Sequence, residues 1–148
     1  MEESLSYLEL IKKEFSCDEI DLRTYSPLTL AYMGDCVYDL IIRTVIIGRG
    51  NRSANDLHKL AVQYVKAKAQ SDLIECMLAN QLLSPEEESV YRRGRNAKSY
   101  TKAKNADIAD YSRASGLEAL LGFLYLANRM ERAVYLVKES VRLLELHL

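Results

Sequence analysis

The stretch 26-SPLTLAYMGDCVYDLIIRTVIIGRG-50 decides the fold. Ser26 followed by Pro27 starts a helix, with a side-chain oxygen to accept from the orphan N–H groups and then a residue whose fixed φ suits the first turn. Gly48 and Gly50 mark its end. Between them Leu30, Met33, Val37, Ile41 and Val45 recur at three- and four-residue steps, and Leu40, Ile42, Ile46 and Ile47 make the second half apolar nearly all round. This pattern predicts a helix in the middle of a core. Asp35 lies inside it, with Asp39 one turn further on and no basic residue before Arg43. A lone ionised carboxylate in an apolar setting is costly or titrates away, so Asp35 requires a partner from elsewhere, and a metal ion is one such partner.

Working outward, the chain has 148 residues, 49% hydrophobic and 28% charged, the size and make-up of one domain spanning 1–148. Two prolines and six glycines leave few breaks, which favours long helices and an all-α fold. The opening MEESLSYLELIKKEF is acidic and then amphipathic, unlike a signal or transit peptide. No apolar run reaches the ~20 residues of a membrane span, so a cytoplasmic protein is expected. Cys17, Cys36 and Cys76 show no CxxC or Cys/His spacing, which argues against disulfides and a zinc site. Net charge is −1, so binding to a polyanion has to come from a local patch.

In chain order, Leu5, Leu8, Ile11 and Phe15 predict a short first helix whose apolar face Tyr7 and Leu10 broaden, and SCDEIDLRTYSP is a connector. After the central helix, Leu57, Leu60, Ala61, Tyr64 and Val65 follow at helical spacing. The pattern leaves open whether that helix runs on or restarts near Ser71. Ser84, Pro85 and Glu87 form an unambiguous start, an N-cap with a proline at the first helical position and a capping-box glutamate. From Ser89 to Ala106 there is no acid, and Arg92, Arg93, Arg95, Lys98, Lys102 and Lys104 are interleaved with Tyr91 and Tyr100. With Gly94, Asn96, Ser99 and Asn105 among them, the stretch beyond Tyr91 reads as a basic loop suited to phosphate contact.

Helical pattern resumes near Ile108, with Leu117, Leu120, Leu121, Leu124 and Tyr125 on a core stripe and MERAVYLVKESVRLLEL as the closing amphipathic helix. Within GLEALLGFLYLA, Glu118 is the one charged residue, and no neighbour a turn away balances it. An isolated glutamate of this kind is ordinarily on a solvent face. Two acids in apolar helices, each without a local counter-charge, raise the alternative that they meet across a helix contact around a divalent cation, since carboxylate and water are what Mg²⁺ prefers. His58, beside Lys59 on a helix surface, is not a catalytic candidate.

These segments carry a resemblance. LAYMGDCVYDL is similar to the signature helix of the ribonuclease III family, and SGLEALLGFLYLA to that family's second metal-binding helix. RRGRNAKS and KNADIADY resemble the insertion of the Mini-ribonuclease III branch, in which the nuclease domain stands alone. The chain ends where a double-stranded-RNA-binding domain would begin in the larger relatives. Those relatives also place acids at the positions of Ala31 and Ser115, whereas reduced sites like this one are a feature of the Mini-III branch.

The resemblance implies a ribonuclease III endonuclease-domain-like fold and a homodimer in which Tyr32, at the place of the signature phenylalanine, helps join the protomers. It implies Asp35 and Glu118 as catalytic residues and ligands of Mg²⁺, for which Mn²⁺ can substitute. Activity would be endonucleolytic cleavage of double-stranded RNA, leaving a 5′-phosphate and a 3′-hydroxyl, on 23S ribosomal RNA precursors of a bacterium or plastid. Whether a ribosomal protein assists stays open. The competing expectation is an inactive domain of the same fold that binds structured RNA, and the loss of acids at 31 and 115 is what favours it. A helical interaction module without RNA gives no reason for Asp35 and Glu118 to sit where they do.

Overall fold

The computed structural model describes residues 4–97 and 107–148. Among them are seven helices and no strand: α1 (Tyr7–Glu14), α2 (Pro27–Gly48), α3 (Ala54–Val65), α4 (Ala67–Ala79), α5 (Pro85–Asn96), α6 (Asp107–Leu126) and α7 (Met130–Leu143). The all-α expectation holds. No described helix is long and apolar enough to cross a membrane.

α2 begins as predicted, with the Thr29 N–H donating to Ser26 Oγ at 3.2 Å and Pro27 in the first turn. It closes just before Gly50, whose φ of +149° suits a residue without a side chain. Its Val37, Tyr38, Ile41, Ile42 and Ile46 pack with Leu117, Leu120, Leu121 and Leu124 of α6, and α4 and α7 complete the core through Leu73, Ile74, Met77, Leu136 and Val137. The expectation that α2 would be enclosed on all sides is corrected. Leu40 and Ile47 are more than half exposed, and with Leu28 and Cys36 they form a bare stripe around Tyr32. Apolar periodicity reports which residues avoid water, not whether a covering element comes from the same chain.

α1 is similar. Its Ser6/Glu9 capping box is formed, yet only Leu8 is buried, and Tyr7 and Phe15 are almost fully exposed. α1 is tied down by Leu8 and by an Asn128 side-chain amide that donates to Glu9 at 3.1 Å.

The undecided break between α3 and α4 falls at Lys66, whose ψ of 153° ends one helix and opens the next. No glycine or proline is needed, because the orphan carbonyls at the corner are capped from a distance. Tyr38 Oη donates to the Tyr64 carbonyl at 2.5 Å and Gln70 Nε2 to the Val65 carbonyl at 2.8 Å.

α5 starts with the predicted capping box at Ser84 and Glu87. Glu87 is also gripped by Arg132 of α7, which donates to both carboxylate oxygens at 2.9 Å. The predicted loop beyond Tyr91 is corrected in part, since α5 continues through Arg92, Arg93, Gly94 and Arg95 to Asn96. Gly94 is there for contact: a β-carbon on it would lie 2.6 Å from the Ala119 β-carbon on α6. Lys98, Lys102 and Lys104 lie outside the described residues.

Candidate active site

The site is built where α2 and α6 touch main chain to main chain. A β-carbon on Gly34 would fall 1.6 Å from the Glu118 carbonyl oxygen, and one on Gly122 would fall 1.9 Å from the Leu30 carbonyl oxygen. Only glycine permits either approach. Asp35 follows Gly34 directly, so the crossing that brings Gly34 onto the backbone of residue 118 also brings the two acidic side chains together.

Their carboxyl groups lie close enough to act on one another. Asp35 is exposed, which corrects the expectation that it sits inside the core, whereas Glu118 is half-buried. Burial first, and then the proximity and charge of Asp35, push the Glu118 carboxyl from its ordinary 4.5 up to about 8. Among the described residues no basic side chain pairs with either acid. The other acid of α2, Asp39, is neutralised by Arg43 at 2.9 Å. Behind the pair stands Tyr38, fully buried, whose phenol is held protonated by burial and by the nearby Glu118 charge.

Two carboxyl groups in contact, one forced to keep its proton for want of a positive neighbour, form a donor set that a divalent cation fits. Among the described residues no group of three or more His, Cys, Asp or Glu side chains could hold a metal, so what they offer is a pair rather than a cage. The two neighbouring positions are occupied otherwise. Ala31 packs against the apolar cluster of Leu30, Val90 and Ala119, and the Ser115 carbonyl would lie 3.2 Å from a β-carbon on Gly94.

Of the predicted RNA contacts, three stand on α5. Arg92 donates to Glu88 at 2.6 Å, Arg95 lies over the Tyr91 ring and donates to the Asn96 side chain, and Arg93 is exposed without a partner among the described residues. Tyr32 is 83% exposed on the bare stripe of α2. Sequence reading passed over Gly34, Gly122 and Tyr38. For the glycines a signal existed: a mid-helix glycine costs about 1 kcal/mol relative to alanine and so calls for a packing reason.

Residues 28–129 match the ribonuclease III domain. The chain belongs to the ribonuclease III family. Within this family it is 45% identical over 141 residues to the Mini-ribonuclease 3 of a Thermoanaerobacter species, covering 95% of this chain and 94% of that one. It is 44% identical to the Mini-ribonuclease 3 of Enterococcus faecalis, covering 82% of this chain and 92% of the relative. A crystal structure of a Fusobacterium nucleatum protein superposes with a TM-score of 0.72 at 27% identity, covering 84% of this chain and 98% of the other. Ribonuclease III chemistry is endonucleolytic cleavage of RNA, and that is the class of enzyme this chain represents. The resemblance to the Mini-III branch drawn from LAYMGDCVYDL and SGLEALLGFLYLA therefore holds.

Proposed function

We propose that the chain cuts double-stranded RNA with Mg²⁺, Mn²⁺ being able to substitute, and that it trims 23S ribosomal RNA precursors in the cytoplasm. The observation that carries the reading is the Asp35–Glu118 pair, held together by the Gly34 and Gly122 contacts and without a basic partner among the described residues.

Asp35 and Glu118 would hold the ion. A bound Mg²⁺ supplies positive charge that makes a water more acidic and offsets charge developing on the scissile phosphate, with a 5′-phosphate and a 3′-hydroxyl as products. Glu118 has to give up its proton to become a ligand, so the pair is a better ligand set at neutral and alkaline pH than under acid conditions. Asp35, being exposed, is the carboxylate that RNA can approach, and Glu118 backs it from the half-buried side. Tyr38, tied to the Tyr64 carbonyl, is buried near Glu118 and feels its charge.

We further propose a homodimer formed through the bare stripe of α2 with Tyr32 at its centre, each site cutting one strand. Leu28, Tyr32, Leu40 and Ile47 stand on one face, and the described residues leave all four exposed. A ribosomal protein bound to the same precursor is a candidate assistant.

The test is cleavage of a hairpin duplex by purified protein with Mg²⁺, with Mn²⁺, and with chelator. The second reading, an inactive RNA-binding domain, is favoured by the apolar setting of Ala31 and by Ser115 where larger relatives carry acids. Duplex binding without any cleavage in either metal would select it.

A further inference from the structure

A cleft of ≈ 550 Å³ lies between the start of α2 and the outer face of α5, lined by Pro27 on one side and by Ser89, Arg92, Arg93 and Asn96 on the other, with Pro85 and Glu88 completing it. Ser89, Arg92, Arg93 and Asn96 are spaced i, i+3, i+4 and i+7, so one face of a single helix presents all of them. The rotation of α5 that turns this face toward Pro27 is fixed from behind. Val90 is buried against Leu30 and Ala119, and Gly94 meets α6 at Ala119.

The lining is a set of donors with one uncommitted charge. Arg92 and Glu88 neutralise one another at 2.6 Å. Arg95 donates to Asn96 Oδ1 at 3.2 Å, which leaves the amide NH₂ of Asn96 to donate elsewhere. Ser89 is exposed and adds a hydroxyl. Arg93 lacks an acid partner among the described residues, and its guanidinium matches a phosphate oxygen pair in shape and charge. Pro27 stands eight residues before Asp35 on the same helix, about 12 Å along the axis at 1.5 Å per residue. The cleft is thus held at a fixed distance from the acids by α2, and α5 also touches α6 close to Glu118.

We propose that this cleft is a subsite for one internal backbone phosphate of duplex RNA, a short distance along the strand from the bond that is cut, and that Arg93 is the contacting cation. The proposal rests on the reading that the chain acts on duplex RNA. A subsite on a helix packed against α6 fixes where along the strand the acids fall. Arg93 is then a positioning residue.

The experiment is a scan in which single phosphates along both strands of a hairpin duplex are replaced by neutral methylphosphonates, with unmodified protein and Arg93→Gln compared at sub-saturating RNA. One internal linkage should slow the unmodified protein about tenfold, the scale of one charge-assisted contact, and should slow Arg93→Gln no further. Penalties at all other linkages should carry over unchanged to the variant. Arg93→Gln should also flatten the log–log salt dependence of binding by roughly 0.7 to 0.9. Arg92→Gln, whose charge is already matched by Glu88, should cost less than Arg93→Gln. The proposal is overturned if Arg93→Gln keeps the full sensitivity at every linkage, if Arg92→Gln costs more, or if only removal of the 5′-terminal phosphate reproduces the loss. Should the unmodified protein not cut duplex at all, the nuclease reading fails, and the same scan read as duplex binding still decides on the cleft.

Discussion

Glu87 and Glu118 are both glutamates drawn out of water on helices, and they titrate in opposite directions. At Glu87 burial pushes the carboxyl up, but the Arg132 guanidinium and the Ser84 N–H outweigh it and leave it below the usual range. At Glu118 burial acts the same way, and the neighbour is another acid, so the carboxyl rises to about 8. Desolvation is common to both; the partner decides. Glu87 joins α5 to α7 and is paired within the chain, whereas Glu118 has no basic partner among the described residues. An acid that is costly to the free protein is the mark of a site rather than a brace.

That contrast can be broken most directly at the site. Asp35→Asn or Glu118→Gln is expected to lower Mg²⁺-dependent cleavage by on the order of a thousandfold or more, several kcal/mol of transition-state stabilisation, with the helical circular dichroism spectrum retained. Cleavage at the unmodified rate by either variant would remove that residue from the site.

At the brace, Arg132→Ala strands a buried carboxylate and should cost about 3 kcal/mol of stability, read as a lower urea midpoint, while the rate per folded molecule is unchanged. A shift under 1 kcal/mol would mean that Glu87 finds water or another donor when its partner is removed.

The two glutamates should also give pH dependences of opposite sign. Glu118 has a folded value raised above 4.5, so the metal-free protein binds more protons folded than unfolded and loses stability as pH rises from about 4.5 to about 8. Glu118→Gln should remove that loss and stabilise the metal-free protein at pH 8 by about 2–3 kcal/mol, less than the full shift because the carboxyl keeps some contact with water. Glu87 has a lowered folded value, so its contribution is present above 4.5 and is lost as pH falls through that lowered value. Thermal melts of unmodified and Glu118→Gln protein in chelator from pH 4 to 9 measure the first, and melts of unmodified and Arg132→Ala protein carried below pH 4 measure the second. Mg²⁺ should raise the melting temperature of the unmodified protein and not that of Glu118→Gln.

The smallest expected effect lies on the bare face of α2. If a second copy covers it, sedimentation should show a dimer, and Tyr32→Ala should weaken it by about 2 kcal/mol, roughly thirtyfold in dissociation constant. A monomer at micromolar concentration would leave that stripe without the proposed occupant.

Much of this was legible in the chain because its signals are local. Ser26–Pro27 and Ser84–Pro85–Glu87 announce helix starts through atoms within a turn of each other, and both formed. Asp35 and Glu118 could be paired because each lacks a neighbour able to balance it. The misreadings share a cause in distance. Gly94 and Asn96 lower helix propensity, but contact with Ala119 on another helix holds α5 together through them. The corner at Lys66 depends on Tyr38, which is remote in sequence. Asp35 was placed in the core because its helix is apolar, and nothing in a periodicity says on which side a covering helix stops.

The contact at Gly34 and Gly122 has a consequence for how such a site can change over time. A substitution in a side chain around it, at Ala31 or Ser115 for example, leaves the main-chain contact between the two helices in place. The separation of those helices is measured out by peptide units resting on one another, and peptide units are the part of a protein that codon changes cannot rewrite. The spacing of the two acids is thereby independent of the side chains around it, at the expense of two positions where even a methyl group is forbidden.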